Sequence, residues 1–176
     1  MSGEYIMTKV ITDIVTDVDG VFTDGTFVYS PEGKVYKTFG PHDGDAIKLI
    51  RDICDVKVTA ISADHRGFSI TKARMDDMGI PVFPVSEKDR FDWIGNNFDW
   101  DTILFVGDGM FDARALRRAK YGIAPRNAVN ISKLCADYVT EADGGEGVFL
   151  EVLAKVIELN EIDMNIITKR LGLGNE

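Results

Sequence analysis

The segment DIVTDVDGVFTDG, residues 13–25, decides how the rest of the chain is read. An apolar run (Val10, Ile11, Ile14, Val15) leads into two aspartates, Asp17 and Asp19, with glycines at Gly20 and Gly25. The run predicts a buried strand over 9–17. Side chains of a strand alternate in direction, so residues i and i+2 share a side. Asp17 and Asp19 are therefore expected on one side, where the strand stops. Two close ionised carboxylates repel each other, and a divalent cation or a proton relieves them. Gly20 lets the backbone turn and come close to a bound group. The pattern points to a Mg2+-dependent phosphoryl-transfer site.

The rest of the composition limits the partners. The chain has 176 residues, is 45% hydrophobic and 28% charged, and carries a formal net charge of −9. That size predicts one domain, 1–176, with a substantial core. With no basic run, neither nucleic acid nor an anionic membrane surface is an expected partner. An acidic protein that takes a phosphate must bring local positive charge to it. Cys54 and Cys135 lie far apart without CxxC spacing and read as reduced core residues. No signal-peptide segment and no run near the ~20 apolar residues of a membrane span are present, which predicts a cytoplasmic protein.

Downstream, strand and helix patterns alternate. Residues 26–39 read as a β-hairpin around Ser30-Pro31-Glu32-Gly33, projecting from the sheet as an oligomer contact or as a flap over the site. Helical patterns follow at 43–53, 65–78, 87–97, 128–134 and 147–160, and one runs on from Gly109 to about 119. Strands are expected at 56–61, 81–85, 102–106, 121–124 and 136–140, and 161–176 is a partly apolar tail. This order predicts an α/β fold with a doubly wound, mostly parallel, Rossmann-like sheet. Such sheets bind ligands at the carboxyl ends of their strands. Asp17, Ser62 and Asp108 each follow a strand and so meet at one edge.

Phosphoryl transfer needs a nucleophile, a proton shuttle, positive charge over the phosphate oxygens and positioning donors. Asp17 is the candidate nucleophile, and Asp19 the candidate proton shuttle. Asp108, with the Asp17 carboxylate and the backbone carbonyl of Asp19, is the candidate Mg2+ site. Ser62 offers a hydroxyl and, with Ala63, backbone N–H groups at a helix start. Lys88 is the candidate cation, and Asp112 orients it or helps hold the metal. Plainer readings stand beside these: Ser62 and Asp108 as helix caps, Lys88 and Asp112 as surface residues.

These motifs resemble those of the haloacid dehalogenase superfamily of phosphatases: DVDGVFTDG its first, Ser62 its second, Lys88 its third and GDGMFD (107–112) its fourth. The hairpin, the Asp43-Gly44 pair and ADYVTEADGGEGVFLEV (136–152) resemble its capless branch, the 3-deoxy-D-manno-octulosonate 8-phosphate and nonulosonate 9-phosphate phosphatases. The resemblance implies an aspartyl-phosphate mechanism, Mg2+, a small phosphorylated sugar or sugar acid as substrate, no cap domain, and a homotetramer whose subunits help enclose each other's sites. The branch usually has Arg-Asp-Gly where this chain has His42-Asp43-Gly44, and Thr-Gly-Arg where it has Ser62-Ala63-Asp64. It often has a basic residue where this chain has Glu146. His42 is a candidate to reach the substrate. Arg66 is a candidate replacement for the missing arginine, or a solvent-facing helix residue. The rival reading is a non-catalytic oligomeric or phosphate-binding signalling module of the same fold.

Overall fold

A computed structural model describes residues 10–173. The expected start of the first strand at Lys9 and the end of the tail lie outside the described residues. In chain order the elements are β1 (Asp13–Asp17), β2 (Val28–Ser30), β3 (Gly33–Tyr36), α1 (His42–Asp52), β4 (Lys57–Ser62), α2 (Phe68–Met78), β5 (Val82–Pro84) and α3 (Arg90–Asn97). Then come β6 (Ile103–Val106), α4 (Ala113–Arg118), β7 (Tyr121–Ala124), α5 (Asn130–Cys135), β8 (Tyr138–Val139), α6 (Val148–Leu159) and α7 (Met164–Arg170).

Six strands form one sheet in the order β5-β4-β1-β6-β7-β8, and every pairing in it is parallel. β1 sits between β4 and β6, with Asp17 opposite Ile61 and Thr16 opposite Val106. The chain builds outward from β1 to β5, then crosses back and builds the other half. That reversal opens a crevice above the carboxyl end of β1, where ligands bind in such sheets.

Alternation along the central strands sends side chains to two separate cores. Ile14, Leu104 and Val106 join one core with residues of α1 and α6, while Val15, Ile103 and Phe105 join the other with residues of α3 and α4. A sheet covered on both faces explains why its strands are continuously apolar. Asp17 follows Val15 by two residues and so faces the α3 side. Cys54 is buried and Cys135 half-buried, and neither is in a disulfide.

Two features hold the segment after β1. Its strand geometry does not persist beyond Asp17: Val21 and Phe22 both donate to the Val18 carbonyl, a helical turn that carries Asp19. Phe22 then stacks on Phe149 of α6 at 4.6 Å. The Gly144-Gly145 pair packs against the same loop, with the Gly145 N–H donating to Val21 O at 2.9 Å. A Cβ on Gly144 would collide with the Gly20 carbonyl.

The hairpin β2–β3 is a sheet of its own, antiparallel, tied to the loop before it by a bridge between Thr23 and Phe39. Between β4 and β6 lie only α2, β5 and α3, so no cap domain is inserted there. The tail contributes α7, whose Ile167 is buried, while Met164 and Ile166 are each 54% exposed. No helix of the described residues is long and apolar enough to cross a membrane.

Candidate active site

The carboxylates of Asp17, Asp108 and Asp112 converge at the crevice, with one oxygen of each lying within 4.8 Å of the others. Asp17 comes from the last residue of β1. Asp108 follows β6 and the Gly107 turn. Asp112 ends a 3-10 turn over Met110–Asp112, and its buried Oδ2 accepts the backbone N–H groups of Asp108 at 3.1 Å and Gly109 at 2.9 Å. Asp112 thereby folds the Gly-Asp-Gly loop and joins the carboxylate cluster. Gly20 has φ +85°, and a Cβ there would run into the Asp108 carboxylate, so the close approach of the two loops needs glycine.

The cation at this cluster is Arg90, the first residue of α3. Its guanidinium donates to Asp17 Oδ1 at 3.2 Å and to the Asp112 carboxylate, and the side chain is buried. Lys88, expected in this role, is exposed and does not line the crevice. The correction has a local cause. Ser86 Oγ donates to Asp89 Oδ2, and the Asp89 and Arg90 N–H groups donate to the Ser86 carbonyl. That turn delays the helix to Arg90 and leaves Lys88 on its outer side. A signal was present: Arg90 and Ile94 are four apart and share the buried face of α3.

Charge crowding at the cluster is severe. Burial pushes the Asp17 carboxyl well above its ordinary range, with Arg90 opposing and Asp112 and Asp108 adding to the rise. Burial and the neighbouring Asp112 push Asp108 up to about 7. Burial also raises Asp112, against the pull of Arg90. Arg90 stays protonated because the two acidic partners outweigh its own desolvation. Three crowded oxygen donors fit a hard divalent cation such as Mg2+, which would relieve the repulsion.

The Asp19 carboxylate is not in that cluster. It turns instead to Lys37, just past β3, with Nζ at 2.7 Å from Oδ1. The same ammonium lies 2.7 Å from Asp64, and Lys34 lies 2.6 Å from Asp64. The hairpin thus folds back over the site through two lysines that the sequence reading did not select. Nothing local marks them, since their reach depends on how the hairpin tilts.

Asp17, Asp19, Ala63, Asp64, Arg90 and Asp112 line a cavity of about 350 Å³, with Phe27 and Phe111 as aromatic walls. Ser62 is buried at the end of β4, and its Oγ accepts the Asp64 N–H at 3.2 Å. His42 and Arg66 are exposed and line no part of this cavity. Asp43, beside His42, is buried, and its Oδ1 accepts the Phe149 N–H at the start of α6 at 2.9 Å.

Comparison with known proteins places this geometry. No family model matches the chain. The 3-deoxy-D-manno-octulosonate 8-phosphate phosphatase KdsC of Haemophilus influenzae is 29% identical over 150 residues, 82% of each chain. The cobalt-bound structure of the H. influenzae deoxy-D-mannose-octulosonate 8-phosphate phosphatase (YrbI) is 30% identical, covers 87% of this chain and 91% of its own, and superposes with a TM-score of 0.75. The chain belongs to the capless haloacid dehalogenase phosphatases. Its members hydrolyse phosphomonoesters, and this protein is a phosphatase. The Moraxella catarrhalis 3-deoxy-D-manno-octulosonate 8-phosphate phosphatase, solved with magnesium, phosphate and KDO, is 25% identical, with coverage of 93% and 96% and a TM-score of 0.79.

Proposed function

We propose that the protein is a Mg2+-dependent phosphatase of a small phosphorylated sugar or sugar acid, of the octulosonate 8-phosphate or nonulosonate 9-phosphate type, acting through an aspartyl-phosphate on Asp17. The observation that carries this reading is the convergence of Asp17, Asp108 and Asp112 on one point, with Arg90 beside them. Asp17, Asp108 and the Asp19 carbonyl would hold Mg2+, which when bound neutralises phosphate oxygens and favours ionised Asp17.

Arg90 holds the Asp17 carboxylate in place. Asp17 attacks phosphorus as the bond to the sugar oxygen breaks, and Asp19 gives that oxygen a proton. Asp19 then takes a proton from the water that cleaves the aspartyl-phosphate. The Ser62 hydroxyl and the backbone around Ala63 orient the phosphoryl group. Phe27 and Phe111 offer apolar walls to the C–H faces of a sugar, and the cavity is of the size that suits a small ligand.

The hairpin supports the expectation of a homotetramer. Val28, Tyr29 and Tyr36 are 55%, 56% and 66% exposed on this small two-stranded sheet, a surface suited to a second copy of the chain. A panel of phosphorylated sugars and sugar acids assayed for phosphate release with Mg2+ tests the substrate class. Turnover of acid-sugar phosphates above neutral ones is expected, and equal, slow release from all of them would refute it. Light scattering tests the assembly, and an active monomer would refute the tetramer.

A further inference from the structure

The Lys37 side chain is withdrawn from solvent, and its ammonium has three partners. Nζ lies 2.7 Å from Asp19 Oδ1 and 2.9 Å from Oδ2, 2.7 Å from Asp64 Oδ2, and donates to Thr71 Oγ1 at 2.7 Å. The ammonium donates to Asp19 Oδ2 and Thr71 Oγ1 and pairs by charge with Asp64. Asp19 depends on this arrangement more than Lys37 does. Among the described residues, Lys37 is the one donor to its carboxylate, and its Oδ1 is shut off from solvent. Asp19 also stands in a turn, so no strand or helix direction aims its side chain. Lys34 completes the cluster, 2.6 Å from Asp64 and 3.4 Å above the Phe27 ring. Two carboxylates and two ammoniums leave it neutral.

We infer that Lys37 is a positioning residue: it aims the Asp19 carboxyl at the leaving oxygen of the phosphoester, while Asp64 and Thr71 fix the lysine. This rests on the reading of Asp19 as the proton shuttle. In the first step the Asp19 carboxylic acid passes its proton to the bridging oxygen as the P–O bond breaks, and the alcohol departs. In the second the Asp19 carboxylate takes a proton from the attacking water. Lys37 keeps its three protons throughout. Without it, Asp19 and Asp64 repel across the vacated space and Asp19 loses its aim.

The test is a series of substituted phenyl phosphates, from 4-nitrophenyl to phenyl, with kcat/KM plotted against the pKa of the departing phenol. A phenol that leaves as a stable anion needs no proton, while a poorer leaving group does. The slope is a ratio within one preparation, so it does not depend on the fraction folded. A shallow slope is expected for the wild type and a steep one for Asp19→Asn. Lys37→Met should steepen like Asp19→Asn, losing about tenfold more on phenyl than on 4-nitrophenyl phosphate. The double variant should be no steeper than Asp19→Asn alone, because Lys37 acts only through Asp19. If methionine does not fold, Lys37→Gln should show a smaller steepening. A wild-type slope in the Lys37 variant beside a steep Asp19→Asn overturns the inference alone. A wild-type slope in Asp19→Asn overturns the shuttle reading on which it rests.

Discussion

Arg90 Nη2 lies 3.2 Å from Asp17 Oδ1, and both side chains are almost wholly withdrawn from solvent. Arg90 is the shared cation of two buried carboxylates, Asp17 and Asp112, so removing it leaves both without that partner. Arg90→Met should lower kcat by about a hundredfold or more, as losing a preorganised charge at a reacting centre does. Lys88→Ala, two residues earlier and exposed, should stay within about twofold of wild type, as surface substitutions do. Steady-state kinetics on the two variants decides which cation serves the site.

Asp17→Asn should abolish turnover without unfolding the protein. The folded state raises the Asp17 carboxyl above its reference value of 3.8 through burial, opposed by Arg90. A raised carboxyl contributes stability that is present below its unfolded value and lost as pH rises through the folded one, so the charge on Asp17 works against the metal-free fold. The neutral amide should therefore melt at the wild-type temperature or above it in chelator. A gain of about 1 kcal/mol corresponds to about 2–4 °C at this size. Mg2+ should raise the wild-type melting temperature and leave the variant nearly unmoved. Calorimetry with and without chelator measures both.

Asp64 sets an acid limit on stability. Burial alone would raise its carboxyl, but hydrogen bonds from Lys34, Lys37 and the Gly67 N–H outweigh burial and bring it from 3.8 down to about 2. A depressed carboxyl contributes stability above its unfolded value, and that stability is lost as pH falls through the folded one. Asp64→Asn should cost about 1 kcal/mol at neutral pH, allowing for solvent screening. The gap from wild type should close between about pH 4 and pH 2. Denaturant melts across that window give the comparison.

Asp43 acts as a clamp between α1 and α6 by accepting the Phe149 N–H. Asp43→Ala should cost about 1–2 kcal/mol, the range for losing a helix-terminal acceptor. His42→Ala, exposed and away from the cavity, should change neither stability nor kcat appreciably. Thermal melts and kinetics on the pair separate a structural Asp43 from the substrate-reading His42 expected of the sequence.

The sequence by itself determined the architecture and the reaction class. The apolar run ending in Asp17, and the strand-helix alternation after it, define a parallel sheet with Asp17, Ser62 and Asp108 at one edge, because strand period and chain reversal are local and topological properties. Asp112 was legible for a similar reason, its spacing from Asp108 suiting one turn. Only the tertiary structure decided which cations reach the carboxylates. In Ser86-Glu87-Lys88-Asp89-Arg90 the choice between two cations depends on where the helix begins, which the Ser86–Asp89 turn sets. Lys34 and Lys37 come from a hairpin whose sequence reads only as alternating strands, and its tilt over the site follows from packing against Phe27 and the loop after β1. Asp19 was expected beside Asp17 by strand period, but the chain leaves the strand at Val18, and that turn swings its carboxylate to Lys37.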